Sequence, residues 1–358
     1  MQIFGKNIGR EELLAKIGDI DHLGGVRSFI FNDGPSKDIR AFNVRNASGI
    51  SLNILLDRGM DIPELFYKEI PISFTTPIRS VSPYFFDNKG DGFLRSFFGG
   101  FLTTCGITYM GEPCVDKGEE LGLHGRISNT PAENVFSIGE WKQDNYRIII
   151  SGKMRDTKLY GNHLELQRTF TIPMDEPKIY INDVIENIGF RTSPVMILYH
   201  FNFSYPLLDK ESELVIGKSK VTPSDYGDSK KDLKKHNRFS EPIENLNAQV
   251  FFHDIEPDEK NYCNVALINK LFNNGHGIGV WLRYDESSLP YLIQWKHLER
   301  GEYVCGLEPA NSLVRGRSIE REKGTLKFLK PGEKLSFNLE MKILETNSDI
   351  EKFIKKYC

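Results

Sequence analysis

Residues 178–186, Lys-Ile-Tyr-Ile-Asn-Asp-Val-Ile-Glu, place Ile179, Ile181, Asp183 and Ile185 on one face of an extended chain, and Tyr180, Asn182, Val184 and Glu186 on the other. A period of two marks a strand buried on one side. Strand patterns recur at 42–44, 49–56, 135–140, 146–154, 165–172, 194–202, 213–217, 265–268, 277–284, 292–295, 326–329 and 334–344, separated by Gly, Pro and Asn/Asp clusters. Helix signals are confined to Arg10–Ile17 and to 349–356, where Ser348 is the expected cap. A βαβ chain needs helical stretches of roughly 10–15 residues between its strands, and they are missing. The expected fold is therefore all-β and antiparallel, with few short helices.

At 358 residues with 39% hydrophobic side chains, the chain can bury a large core. No internal stretch has linker composition, and no fixed-period repeat is present, so one domain spanning 1–358 is expected. Residues 1–24 read as an N-terminal helical extension and 346–358 as a C-terminal helix. The polar stretch 223–241 reads as a surface insertion.

The net charge is −3, and the only basic run is Lys230, Lys231, Lys234 and Lys235, so nucleic acid is not an expected partner. No membrane-length apolar window or signal-peptide pattern occurs, which makes the cytoplasm the expected location and a membrane an unexpected partner. The five cysteines, Cys105, Cys114, Cys263, Cys305 and Cys358, are scattered and read as reduced thiols rather than as a disulfide framework or zinc site.

Four segments put polar groups where a packed core would not normally accept them. In Asp57-Arg58-Gly-Met-Asp61 the charges either close a turn by pairing or serve a site. In Leu123-His124-Gly125-Arg126, an extended chain would project His124 and Arg126 to one face, with Gly125 open to a ligand. Tyr199-His200-Phe201-Asn202 sets a histidine and an asparagine on one face of an apolar strand, which calls for either an internal network or a polar cavity. Gln294-Trp295-Lys296 precedes Gly306-Leu-Glu308-Pro, where Glu308 is expected at a strand end with a raised pKa, or else paired with Arg58, Arg126 or Arg315. Trp295 offers a flat face to a pyranose or to the core.

The ordered set His124-Gly, His200 with its aromatic neighbours, Gln294-Trp295 and Gly306-Leu-Glu308-Pro resembles the aldose 1-epimerase (galactose mutarotase) family. Residues 168–189 and the Leu329-Lys-Pro-Gly-Glu333 turn extend the likeness over roughly 25–345. Asp57-Arg-Gly-Met-Asp-Ile62, Thr104-Cys-Gly106, Leu123-His-Gly-Arg126 and Leu198-Tyr-His-Phe-Asn202 are similar to an uncharacterised branch of that family, known only as a domain of unknown function. The resemblance implies a galactose mutarotase-like β-supersandwich with a sugar cleft on one sheet. It implies His200 as the acid that protonates the ring oxygen, Glu308 as the base at the C1 hydroxyl, and His124 as a hydrogen-bonding group. Arg126, Arg58, Asn202, Gln294, Trp295 and Lys296 complete the expected substrate-binding set. Typical members carry a sugar-binding arginine where Gly99–Gly106 stands here, so Arg126 or Arg58 is the expected substitute.

Opening a cyclic hemiacetal needs a proton removed from the C1 hydroxyl while another reaches the ring oxygen, a step served by an imidazolium–carboxylate pair on opposite sides of the sugar. It needs no cofactor or metal, and no P-loop or G-x-G-x-x-G fingerprint occurs. A nearby Glu308 is expected to keep His200 protonated. Three cations, Arg58, Arg126 and Lys296, hint at an anionic sugar. The expected partner is a small sugar, on a monomer or homodimer. Two other readings remain: a non-catalytic carbohydrate-binding protein, and a glycosidase or lyase pairing Glu308 with Asp57 or Asp61.

Overall fold

The computed structural model describes residues 1–358. Two large antiparallel sheets face each other. One has eight strands, running in space from Glu133–Lys142 through Asn145–Thr157, His163–Pro173, Lys178–Asn187, Lys334–Leu344, Ile278–Asp285 and Tyr262–Asn269 to Ser212–Ile216. The other has seven, with the path Leu102–Ile107, Ser193–Phe203, Glu302–Ala310, Tyr291–Glu299, Gln249–Ile255 and Ser219–Gly227, and Lys327–Leu329 pairing at the side. A five-stranded sheet built from residues 25–71 packs at one end. The fold is all-β and antiparallel, as the alternating patterns predict, and its two large facing sheets match the supersandwich that the family resemblance implies.

Strand Lys178–Asn187 shows why the sheets pack this way. Ile179, Ile181, Asp183 and Ile185 are buried against the core while the alternate residues face outward. Ser193–Phe203 is instead buried at every position. Its Tyr199, Phe201 and Phe203 enter the main core between the sheets, whereas Met196 and Leu198 join a second apolar cluster with Phe93, Phe97, Tyr109 and Met110. The second cluster forms because the chain on either side of strand Leu102–Ile107, about residues 83–98 and 109–126, folds over the far face of the seven-stranded sheet. Two-sided covering is what permits a continuous apolar run in an antiparallel strand.

Between the sheets lies a buried ionic network. Arg168 donates to Asp183, to Asp61 Oδ1, to Thr104 Oγ1 at 2.8 Å and to the Gly59 carbonyl at 3.0 Å, and the Tyr199 hydroxyl donates to Asp183 at 2.8 Å. Asp183 sits on an otherwise apolar strand face because this network satisfies it.

Two expectations change here. The C-terminal helix spans Asn347–Tyr357 and is capped by Thr346, not Ser348, whose place is inside the first turn. The 223–241 stretch is not loop throughout, since strand Ser219–Gly227 takes its first residues. Arg10–Ile17 is helical, all five cysteines are free thiols with Cys105, Cys263 and Cys305 buried, and no helix is long and apolar enough to cross a membrane.

Candidate active site

Strands Ser193–Phe203 and Glu302–Ala310 pair with Phe201 opposite Leu307 and Asn202 opposite Gly306. The same register sets His200 across from Glu308, and their side chains meet with Nε2 3.2 Å from Oε1. The next strand brings Trp295 opposite Gly306, so Trp295, Gly306, Glu308, His200 and Asn202 share the face covered by the second apolar cluster. Glu308 lies within a strand rather than at its end. It pairs with none of the arginines proposed for it.

His124 arrives from the covering segment. Its backbone is left-handed, with φ 58°, and is held by its N–H to the Gly111 carbonyl and its carbonyl to the Gly106 N–H. The ring lies 6.0 Å from that of His200, centroid to centroid. Aromatic rings close the remaining sides: Phe97 and Trp295 sit 5.3 and 5.5 Å from His200, and Phe93 5.2 Å from His124.

This enclosure sets the electrostatics. Burial holds the His124 imidazole down at about 4. It holds His200 down at about 3, with His124 adding to the effect and Asn202 opposing it. Burial also pushes the Glu308 carboxyl well above its ordinary range. His200 is therefore neutral, contrary to the expectation that Glu308 keeps it charged; the cost of removing the charges from water dominates. His200 Nδ1, His124 Nδ1, Asn202 Oδ1 and Glu308 Oε1 are all buried with no hydrogen-bond partner. Buried polar atoms are rarely left so, and four of them around one apolar-walled spot suit a ligand rich in hydroxyls.

Gly306 makes the space. A Cβ there would lie 2.9 Å from Glu308 Oε1, 3.1 Å from His200 Cε1 and 3.2 Å from Trp295 Cβ. Its backbone is not in the left-handed region, so φ does not bar a side chain, but contacts this short overpack the site; Gly306→Ala is expected to fold with about 1–3 kcal/mol less stability and to lose at least tenfold in sugar affinity. Titration of ligand into the variant, beside a thermal melt, checks both halves.

Several expected binding residues lie elsewhere. Gln294 and Lys296 flank Trp295 in one strand and so face the opposite side of the sheet. Gln294 Oε1 is 3.0 Å from His253 Nε2, its amide donates to the His236 carbonyl, and Lys296 Nζ donates to the Lys235 carbonyl. Arg58 is fully buried, with its guanidinium spent on the carbonyls of Val81, Ser96 and Ser128. Asp57 pairs with Arg40, and Asp61 with Arg168 and Thr104. Arg126 is exposed, with its guanidinium over the Phe86 ring. The 123–126 segment is not extended, so His124 and Arg126 do not share a strand face, and Gly125 is pressed against the Tyr109 and Gly106 carbonyls rather than open to a ligand.

Phe93, Phe97 and Gly306 were not among the expected site residues. The first two carry no polar signal, and Gly306 is legible only once Trp295 and Glu308 are known to be its neighbours. His297, Glu299 and Glu302 also converge, with ligand-type atoms within 4.8 Å of one another. They occupy the hairpin end beyond Trp295, apart from the His200–Glu308 pair.

Comparison with solved structures establishes the architecture. A Klebsiella pneumoniae protein provisionally named an aldose 1-epimerase aligns over 95% of this chain and 92% of its own, with 23% identity and a TM-score of 0.86. A galactose mutarotase-like protein from Clostridium acetobutylicum aligns over 91% of this chain and 100% of its own, with 15% identity and a TM-score of 0.64. Galactose 1-epimerase from Lactobacillus acidophilus aligns over 90% and 99%, with 12% identity and a TM-score of 0.53. At such identities the likeness is one of fold, the galactose mutarotase-like supersandwich. No curated protein matches the chain significantly in sequence. A family model matches residues 36–343, and by that match the chain belongs to the family described as a domain of unknown function, DUF4432.

Proposed function

We propose that this protein is an aldose 1-epimerase, an isomerase that interconverts the α and β anomers of an aldose by acid/base ring opening. The observation that carries the reading is the cross-strand His200–Glu308 pair, 3.2 Å apart and buried among unsatisfied polar atoms. The reacting oxygens of a pyranose, O1 and O5, are both bonded to C1. Two groups on one side of the sugar, with their reactive atoms side by side, can address both oxygens at once. That geometry replaces the expectation of an acid and a base on opposite sides.

Ring opening requires one proton on the pair. Glu308 takes the O1 proton as His200 protonates O5, and the roles reverse on closure after rotation about C1–C2. Burial favours the proton on Glu308 over His200. Sugar hydroxyls that partner Glu308 Oε1 and the two histidine rings stabilise the charged pair and draw that proton onto His200. Each group contributes on the order of 10²–10⁴ in rate. Trp295 offers the C–H face of the sugar a platform, and His124 and Asn202 offer hydrogen bonds to its hydroxyls.

A neutral aldose fits better than an anionic one, because two of the three cations that hinted at an anion, Arg58 and Lys296, do not reach the cleft. The glycosidase alternative loses its second carboxylate, since Asp57 and Asp61 are both committed to arginines. One-dimensional exchange NMR on neutral, uronate and phosphorylated aldoses tests the reading. Acceleration of a neutral sugar supports it. Sugars that bind without interconverting faster than in buffer would make this a carbohydrate-binding protein.

The pH profile carries its own sign. A histidine with a lowered pKa is neutral down to about pH 3, and a carboxyl with a raised pKa keeps its proton further up the scale than usual. The pair thus holds its one proton from about pH 3 up through the raised Glu308 value. Exchange is expected to change by less than about 20% between pH 5 and pH 6.5. A fall to about half over that interval, the protonated fraction lost by an imidazole of ordinary pKa near 6.5, would show such a group in control.

A further inference from the structure

His200 and Glu308 are only 5% and 2% exposed, and the Phe97 ring packs over both His200 and Trp295, 5.3 and 6.2 Å away, which are themselves 5.5 Å apart. A pyranose cannot reach the pair or lie against Trp295 while that ring stays in place. The covering segment must therefore move, and the structure shows how its motion is confined.

The guanidinium of Arg58 donates to the Val81 carbonyl at 2.5 Å, the Ser96 carbonyl at 3.0 Å and the Ser128 carbonyl at 2.6 Å. Val81 and Ser96 bracket residues 82–95, so one buried cation ties the two ends of a loop to each other and to the frame at Ser128. Burial lowers the Arg58 pKa only to about 10, which leaves it charged at neutral pH. Three carbonyls and, at 3.4 Å, the Ser128 hydroxyl hold this desolvated charge, which is costly unless its geometry is complete. Between the tied ends the attachments are sparse: the Leu123 N–H to the Gly90 carbonyl, the Tyr109 hydroxyl to Asn88, and Ser82 N–H to Pro35. Gly90 is left-handed with open space around it, and Gly99 and Gly100, also left-handed, follow Phe97. The outer side of the loop exposes Tyr84 and Phe85 at 91% and 64%.

We propose that residues 82–95 form a lid over the His200–Glu308 pair, that Phe97 at its base plugs the sugar site when the lid is shut, and that Arg58 is a positioning residue that staples the ends of the lid together. Opening frees Ser96 from the Arg58 staple and Phe97 from Thr76, and carries Phe93 and Phe97 away from His124 and His200, while Gly99 and Gly100 stay paired with Thr75 and Phe74. Binding draws on this equilibrium: the measured sugar affinity is the intrinsic affinity reduced by the fraction of open molecules. The lid rests on the epimerase reading only for the identity of what it admits, and its motion is measurable without turnover.

Trypsin reports the lid directly, because Lys89 and Arg95 are exposed within it. Cleavage of a mobile segment tracks its opening equilibrium. Arg58→Lys, which keeps the charge but cannot bond three carbonyls in a fork, is expected to be cut at Lys89 and Arg95 at least tenfold faster than wild type, with an unchanged pattern elsewhere. Trp295 is the second reporter, in a background where Trp141 and Trp281 are replaced by Phe. Phe97→Ala there is expected to raise acrylamide quenching of Trp295 at least twofold, with circular dichroism unchanged. If Arg58→Lys fails to fold, Thr76→Val decides the same question, since the Thr76 hydroxyl anchors the Phe97 carbonyl at 3.0 Å. Wild-type cleavage rates at Lys89 and Arg95 in a folded clamp variant, or Trp295 quenching unmoved by Phe97→Ala, would overturn the proposal. A sugar that never interconverts would leave both readouts standing and overturn only the epimerase.

Discussion

Glu308→Gln is expected to slow anomer exchange by at least a hundredfold while folding as the wild type does. Glutamine matches a protonated carboxyl in shape and charge, and burial already favours the protonated form of Glu308, so the substitution asks little of the fold. It removes the one group able to release and recapture a proton beside O1. His200→Asn is expected to cost a similar factor, because an amide cannot protonate O5. In the proposed reaction the two groups work with a single shared proton and lie 3.2 Å apart. Their losses should then be far from additive, as for catalytic residues acting as a unit. The double variant is expected within about tenfold of the worse single variant. Exchange NMR on all three proteins, with folding checked by circular dichroism, gives the answer. A Glu308→Gln protein that keeps more than a tenth of wild-type exchange would remove Glu308 from the mechanism.

The sequence made His200 legible because it interrupts an apolar run that is buried on both faces. Glu308 was legible for a related reason, since a carboxylate after Val304, Cys305 and Leu307 has few bland explanations. Gln294, Trp295 and Lys296 are consecutive in one strand, so a period of two forbids all three from facing one cleft, and only Trp295 does. The fate of Arg58 was different in kind. Nothing in Asp57-Arg58-Gly-Met-Asp61 tells a sugar-binding cation from one that bonds the carbonyls of Val81, Ser96 and Ser128, because those partners come from 23 to 70 residues away. Long-range backbone partners leave no local pattern. The aromatic cover was hidden for the same reason: Phe93 and Phe97 look like core, and they are core until the sugar site beneath them is recognised.

One polar residue on an apolar face did announce a partner, although not its identity. Asp183 sits among Ile179, Ile181 and Ile185, and in the folded chain it meets Arg168, whose guanidinium also reaches Asp61 and Thr104 between the two sheets. Arg168→Met is expected to lower stability by about 3–5 kcal/mol, the usual cost of leaving buried charge without its partner. Asp61 and Asp183 would both be stranded, and Asp61 dictates the pH dependence of the loss. Burial already raises the Asp61 pKa, and Arg168 is the leading influence pulling it down, so removing the arginine raises it further. A carboxyl whose folded pKa is raised above its unfolded value contributes stability below the unfolded value, and loses it as pH climbs through the folded one. The deficit of the variant is thus expected to be largest near pH 7 and to shrink on acidification toward pH 5. Urea unfolding at the two pH values measures it directly. Adding Asp183→Asn to Arg168→Met should restore part of the loss, since one stranded charge is then gone. A deficit that is the same at both pH values, or a double variant less stable than Arg168→Met alone, would mean that the network holds the sheets together by shape rather than by charge.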